Sequence, residues 1–221
     1  MWYSCKRFLG RCYPLLRMED KMNRREAIVG AVCGVLGTTV GTVNGGEVKE
    51  KDFVKILTNT RSATKFIKPV AEDDLQKILH IGVNAPSALN LQPWYFVAVT
   101  DRKLLAEIDR EAGVLPGGRI SLTESPTVVF VCCDDGDYSQ YDAGVACDRM
   151  AVTAILMGYG AKTVATPRHA VNEIFKDKLG IPEKYECVTM LLLGVEETPS
   201  VDGVSGATSR VPFEEKVARI K

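Results

Sequence analysis

One hydroxyl group near the carboxyl end of the sequence, that of Thr208, has the surroundings expected of a nucleophile. Gly206 and Ala207 precede it and leave the hydroxyl sterically open, while Asp202 and Ser205 have side chains that shape turns. A hydroxyl in this setting can be esterified. The alternative is that these residues form a flexible glycine- and serine-rich linker before a final helix at residues 213–220.

A second stretch, residues 85–94, has the composition of a ligand-contacting loop. It reads Ala-Pro-Ser-Ala-Leu-Asn-Leu-Gln-Pro-Trp. Its two prolines cannot continue the helix predicted at Glu72–Val83, and the apolar run at residues 95–100 predicts a buried strand. Loops held between rigid elements often contact ligands. On the pattern alone, an ordinary turn of proline and asparagine is an equal alternative.

Together with residues 60–66, Thr-Arg-Ser-Ala-Thr-Lys-Phe, this loop resembles the nitroreductase family. Domains of that family open with Arg-Arg-Ser-x-Arg-x-Phe and carry an Ala-Pro-Ser-x-x-Asn-x-Gln-Pro-Trp loop. The resemblance covers most of the chain and defines a domain at residues 50–221. It implies an α+β fold with an antiparallel-type central sheet flanked by helices. It also implies a homodimer joined along a long central helix, with FMN sites built from both chains at the interface.

The resemblance also assigns FMN contacts. FMN needs cations or amides for its phosphate, hydrogen bonds to the ring edge and a positive environment for the reduced ring. Arg61 and Ser62 match the family's basic and hydroxyl positions. Lys65 adjoins Thr64, which replaces a basic residue; it is either a substitute cation or a solvated surface lysine, because neighbours in an extended segment point opposite ways. From the other subunit, the loop contributes Pro86, Ser87, Ala88 and Asn90. Gln92 and Trp94 are interpreted as structural.

Residues 202–208 resemble a different signature, Asp-x-x-Ser-Gly-Ala-Thr, the acceptor of covalent FMN in FMN-binding domains and in subunits of membrane redox pumps. In those proteins a flavin transferase, using FAD and Mg²⁺, joins the FMN phosphate to the final threonine as a phosphoester. Here that threonine is Thr208, and it falls where nitroreductases commonly have the lysine of a phosphate-binding Lys-x-Arg pair; Arg210 is retained. A phosphodiester carries about one negative charge, against nearly two for a monoester. We therefore hypothesise that the lost cations and the gained threonine are one coupled change.

Composition excludes several classes of protein. The 28 basic and 28 acidic residues balance, which argues against nucleic acid as a partner. The sequence contains no run of twenty apolar residues, so no membrane span is indicated.

The cysteines lack metal-ligand spacing, so no metal site is expected. Those in apolar surroundings are predicted to be free buried thiols: Cys132, Cys133, Cys147 and Cys187. No catalytic triad, carboxylate pair or Walker motif is recognisable, so the chemistry is assigned to the flavin and to no catalytic side chain.

The first 46 residues divide into two segments. Residues 1–21 are polar and basic, and we interpret them as a leader or an incorrectly assigned start, with Met22 as the true start. Residues 22–46 resemble a twin-arginine export signal: Arg24 and Arg25 precede a weakly apolar stretch and a small-residue exit. Acylation at Cys33 and a simple N-terminal helix or arm are the alternatives. Export places the protein in the periplasm or at the cell surface; otherwise it is cytoplasmic.

Hydrophobic periodicity predicts the elements that position these residues. Helices are predicted at Glu50–Asn59, Glu72–Val83, 102–112, 138–159 and 169–179, and strands at 95–100, Thr127–Cys133 and 188–194. The helix at 138–159 is apolar nearly all round, which favours a central position packed against a second subunit.

The expected function is reduction of a small nitro, quinone or enone compound by an exported, FMN-dependent enzyme. Export would separate it from cytosolic NAD(P)H, so the electron donor is either NAD(P)H or an extracytosolic carrier. One alternative is a cytosolic NAD(P)H nitroreductase with dissociable FMN. Another is a non-enzymatic electron shuttle whose flavin exchanges electrons with partner proteins.

Overall fold

The computed structural model describes residues 50–59, 61–197 and 211–220, all within the unit of residues 47–221. The predictions for the leader, the export signal and Cys33 lie outside the described residues. So do those for Thr208 and Arg210.

The described elements alternate between helices and strands. In chain order they are α1 (Glu50–Asn59), β1 (Phe66–Lys68), α2 (Glu72–Val83), a 3-10 turn (Ala88–Asn90), β2 (Trp94–Val99), α3 (Arg102–Glu111), a 3-10 turn (Leu122–Glu124), β3 (Thr127–Cys133), α4 (Ser139–Leu156), β4 (Gly160–Val164), α5 (Arg168–Ala170), a π-helical turn (Val171–Phe175), α6 (Lys176–Leu179), β5 (Glu186–Glu196) and a 3-10 turn (Phe213–Glu215). The bounds predicted for α1, α2 and β3 are confirmed.

The strands form one antiparallel sheet centred on β5. One side of β5 pairs with β3, with Thr127 opposite Leu193, and the other side pairs with β4 and β1. β2 pairs with the far side of β3, with Trp94 opposite Cys133. The prediction of an α+β fold with an antiparallel central sheet is therefore confirmed.

Alternate residues of the central strands pack on opposite faces of the sheet, as the two-residue period of a strand requires. On one face Phe130 and Leu192 pack in a core with Phe175 and residues of α3. On the other face Val129 and Leu191 pack in a core with residues of α2 and α4. Because both faces are covered, all seven residues of β3 are buried, which explains its continuous apolar run.

The helices predicted at 138–159 and 213–220 differ from those observed, and the helix predicted at 169–179 contains a π-helical turn. The central helix α4 is shorter than the predicted 138–159 and buries one face, leaving Tyr141 and Gly144 exposed within the single chain. The prediction of a final helix at 213–220 is wrong, because that segment contains only the 3-10 turn Phe213–Glu215. Its apolar side chains, including Phe213 and Ile220, are exposed, and short helices without packing are marginal in water.

The described cysteines are the four predicted to be buried, and all four are free thiols. Within the described ranges, no helix is long and apolar enough to cross a membrane. In the same ranges, no three His, Cys, Asp or Glu side chains are grouped so that they could hold a metal ion.

Candidate functional site

The loop at residues 85–94 has a strained backbone. Leu89, Asn90 and Gln92 have φ values of 50°, 58° and 51°, in the left-handed region. Asparagine tolerates this region because its short side chain can form local hydrogen bonds, whereas leucine has no such compensation. Strain of this kind concentrates at ligand sites, because it persists only where the surroundings fix the backbone.

Hydrogen bonds within the loop close it on itself. The backbone N–H of Gln92 donates to Oγ of Ser87 at 2.9 Å, and that of Asn90 donates to the Ser87 carbonyl at 3.1 Å. The Gln92 side chain donates to the Asn90 carbonyl at 3.2 Å. Ser87 thus stabilises the turn, and the side chains of Pro86 and Asn90 remain exposed at its surface.

The base of the loop is fixed by α4. Trp94 is buried with Ala85 and Ala146, and its ring stacks on that of Phe96 at a centroid distance of 6.4 Å. Asp142 lies one helical turn before Ala146, and its Oδ2 accepts a hydrogen bond from the backbone N–H of Ala88 at 3.0 Å. The burial of Trp94 agrees with its interpretation as a structural residue.

Arg61 and Ser62 lie at the other candidate contact region, between α1 and β1. Nη1 of Arg61 donates to the carbonyls of Thr58 and Asn59 at 3.3 and 3.2 Å, so the guanidinium group caps the end of α1. The next residue, Ala63, is buried and donates its N–H to the Ala161 carbonyl of β4 at 3.0 Å. This bond fixes the segment to the sheet and leaves the Ser62 side chain exposed.

Lys65 lies beyond these residues, on the surface. Its Nζ forms an ion pair with Oε1 of Glu197 at 2.8 Å, and 62% of its side chain is exposed. The Glu197 N–H donates to the Lys65 carbonyl, which continues the contact between β1 and β5. This geometry favours the interpretation of Lys65 as a surface lysine over that of a substitute flavin cation.

The buried cysteines have the properties of structural thiols. Burial raises the pKa of Cys147 to about 12, with the nearby Asp148 carboxylate contributing. A hydrogen bond with Cys132 and burial raise the pKa of Cys187 well above its usual range. Since the thiolate is the reactive form, these side chains are poor nucleophiles at neutral pH.

The described candidate residues therefore fall into two groups. One group, Arg61 and Ser62, is held against β4, and the other, residues 86–90, is held against α4. The donors available at their surfaces suit FMN, because the Ser62 hydroxyl and the Asn90 amide are exposed and Arg61 brings a permanent positive charge.

Two features of the site were not predicted from the sequence. The left-handed backbone at Leu89 could not be predicted, because leucine rarely adopts this conformation. The anchoring role of Asp142 was also missed. Its signal was a carboxylate in the first turn of a helix with few charged residues, where a buried carboxylate needs a hydrogen-bond partner.

Comparison with known proteins agrees with this fold. A family model described as the nitroreductase family matches residues 66–115, which include the loop. A relative from Archaeoglobus fulgidus, provisionally named an NADH dehydrogenase/NAD(P)H nitroreductase, is 27% identical over 153 residues, covering 65% of this chain and 85% of the relative. A nitroreductase with bound FMN from Bacteroides fragilis has a TM-score of 0.65 at 19% identity, covering 77% of this chain and 99% of that one. The FMN-bound nitroreductase of Desulfitobacterium hafniense also gives a TM-score of 0.65, at 23% identity, covering 76% and 98%.

The antiparallel sheet between two helical layers is thus the fold of the solved nitroreductases. The part of this chain that matches the nitroreductase family model contains the strained loop.

Proposed function

We propose that this protein is an FMN-dependent oxidoreductase that reduces a small nitro, quinone or enone compound, with FMN joined through its phosphate to Thr208. The observation that carries the flavin assignment is the loop at residues 85–94, which keeps the family's sequence and adopts a strained, anchored conformation. Solved relatives of the same fold contain FMN.

The residues of this chain bind and orient the cofactor. Arg61 and Ser62 supply a positive charge and a hydroxyl donor. Pro86 and Asn90 form the exposed surface of the loop that would contact the cofactor. When bound, FMN supplies the two-electron chemistry. The protein contributes the positions of the donors.

The proposal of covalent attachment is supported by the sequence of the tail. Thr208 lies in the acceptor-type sequence Asp-Gly-Val-Ser-Gly-Ala-Thr, and the family's basic residues are replaced at positions 60 and 64. Lys65, the lysine next to Thr64, forms a surface ion pair with Glu197. This favours the interpretation that Lys65 does not replace the lost cations. A phosphodiester has about one charge fewer than a monoester and needs fewer cations.

A homodimer is supported by the exposed side of α4. Tyr141 and Leu156 of the helix are 72% and 39% exposed in the single chain, and Tyr138, which precedes the helix, is 64% exposed. The family resemblance implies that residues 86–90 of a second copy lie beside Arg61 and Ser62. We propose that each flavin site is built in this way from two chains.

We further propose that the protein is exported and receives electrons either from NAD(P)H or from an extracytosolic carrier. The support is the arginine pair and weakly apolar stretch within residues 22–46. Maturation then depends on a flavin transferase in the same compartment.

Intact mass after coexpression with a flavin transferase tests the covalent site. The transferase would break the pyrophosphate of FAD, join the FMN phosphate to Oγ of Thr208 and release AMP. We expect the mass of the wild type to rise by that of FMN less one water, and that of Thr208→Ala to stay unchanged. The matched control is Ser209→Ala, which removes the neighbouring hydroxyl and should keep the adduct. In-gel flavin fluorescence after denaturation gives a second readout.

Flavin that is released to the supernatant by acid precipitation of the wild type would instead identify a dissociable cofactor. An adduct that persists in Thr208→Ala would exclude Thr208 as the acceptor. Turnover of nitroaromatics, quinones or enones supports the enzyme, whereas reduction only by a partner protein would favour an electron shuttle.

A further inference from the structure

We propose that Asp142 is a positioning residue: its carboxylate holds the turn at residues 88–92 in the conformation that meets the flavin. The proposal rests on the flavin-dependent function given above. It adds a role for a side chain on α4, 54 residues away in sequence from the backbone group it binds.

The turn needs an external restraint because its backbone is strained. Leu89 combines φ 50° with ψ 19°, and Asn90 and Gln92 also have positive φ. A residue other than glycine in this region costs about 1–3 kcal/mol. The Leu89 side chain is 92% exposed, so its own packing does not hold it there.

The other hydrogen bonds described above for this turn connect it to itself. Asn90, Leu91 and Gln92 donate their N–H groups to Ser87 and Ala88, which lie within five residues. These bonds define the shape of the turn but do not fix it to the rest of the domain. The bond from Ala88 N–H to Asp142 makes that connection.

Asp142 is well placed for this task. Only 3% of the residue is exposed, so its orientation is fixed by the surrounding core. One turn further along α4, Ala146 packs against Ala85 and Trp94 at the two ends of the loop. A single rigid helix therefore holds the ends of the loop by packing and its middle by a charge-assisted hydrogen bond.

Removal of the carboxylate leaves the Ala88 N–H without its acceptor. Because this N–H is partly buried, its lost hydrogen bond favours turn conformations in which water reaches it. The flavin-facing side chains of Pro86 and Asn90 would lose their fixed positions, although the sheet and both cores are unchanged.

Hydrogen exchange of the flavin-free full chain tests the restraint directly. In Asp142→Ala we expect amides within residues 85–94 to exchange faster, by on the order of tenfold. Asp142→Asn keeps an oxygen acceptor and should restore slow exchange. The control is Asp134→Ala, which removes a carboxylate bound to the Gly136 N–H and Ser139 Oγ but keeps both the Ala88 bond and the backbone bond of Asp134 to the Pro93 carbonyl. If Asp142→Ala does not fold, Asp142→Ser replaces it, because the serine side chain is too short to reach Ala88.

Visible circular dichroism of the flavin-loaded chain tests the link to the cofactor. We expect the flavin signal to weaken in Asp142→Ala, to recover in Asp142→Asn and to be normal in Asp134→Ala. Unchanged exchange in the loop, or faster exchange with an unchanged flavin signal, overturns the proposal. A wild type that binds no flavin overturns the proposed function instead, and the exchange data still show separately whether Asp142 restrains the loop.

Discussion

Met150 of α4 packs against Gly82 of α2 with no room for a methyl group between them. A Cβ at position 82 would lie 2.6 Å from Sδ and 2.7 Å from Cγ of Met150, which is fully buried. The close approach of the two helices over the sheet therefore depends on the missing side chain of Gly82.

We predict that Gly82→Ala destabilises the fold by about 1–3 kcal/mol, because overpacking forces a buried side chain out of place. The matched control is Gly82→Ala in the background of Met150→Ala, which removes the side chain that the new Cβ would meet. In that background the substitution should stabilise the protein by about 0.5–1 kcal/mol through the helix preference of alanine. Urea unfolding measures both, and equal effects of the substitution in the two backgrounds would contradict the packing argument.

Asp109 of α3 anchors the loop that follows this helix. Its buried carboxylate accepts hydrogen bonds from Ser121 Oγ at 2.6 Å and from the N–H groups of Leu122 and Thr123 at 2.9 and 3.2 Å. We predict that Asp109→Ala costs about 3 kcal/mol, because it leaves buried donors unpaired. Asp101→Ala removes an exposed helix cap, bound to Lys103 and Leu104, and should cost about 1 kcal/mol. Thermal and urea unfolding measure the stability of both variants. A smaller loss of stability in Asp109→Ala than in Asp101→Ala would refute the anchoring role of Asp109.

Lys65 provides a test of the flavin contacts. Because its ion pair with Glu197 is exposed, Lys65→Gln should change the free energy of unfolding by no more than about 0.5 kcal/mol. Flavin content should equal that of the wild type, whereas Arg61→Gln should lower it. Absorbance of the purified protein measures flavin content. A large loss of flavin in Lys65→Gln would reinstate this lysine as a phosphate cation.

The buried thiol of Cys147 makes stability depend on pH in the alkaline range. Burial raises its pKa from 9.0 to about 12, so the folded state holds the proton more tightly than the unfolded chain. The associated stability is present below pH 9 and is lost as pH rises from 9 towards 12. The free energy of unfolding should fall by about 1.4 kcal/mol per pH unit from this thiol.

Urea unfolding of the wild type and Cys147→Ala at pH 8, 9 and 10 measures this loss. The variant should show a shallower decline above pH 9, whatever its stability at pH 8. Parallel declines in the two proteins would show that Cys147 does not titrate in this way.

Much of the fold was predictable because its signals are local. β3 has a continuous apolar run bounded by Pro126 and Asp134, and α2 begins with three acidic residues after Pro69. The tail at 213–220 has helical spacing, but spacing does not reveal whether anything covers the apolar side. The same limit applies to the loop. Its composition marked it as a contact region, whereas its left-handed turn depends on Asp142, which is distant in sequence.

The position of β5 sets the order in which the sheet can be completed during synthesis. β2 and β3 are near neighbours in sequence and can pair early, but β1 and β4 have β5 as their hydrogen-bonded partner among the described strands. β5 is also the last strand of that sheet to leave the ribosome. Until residue 196 has emerged, the apolar surfaces of β3 and α4 that β5 covers stay exposed, and exposed surface of this kind favours aggregation in nascent chains.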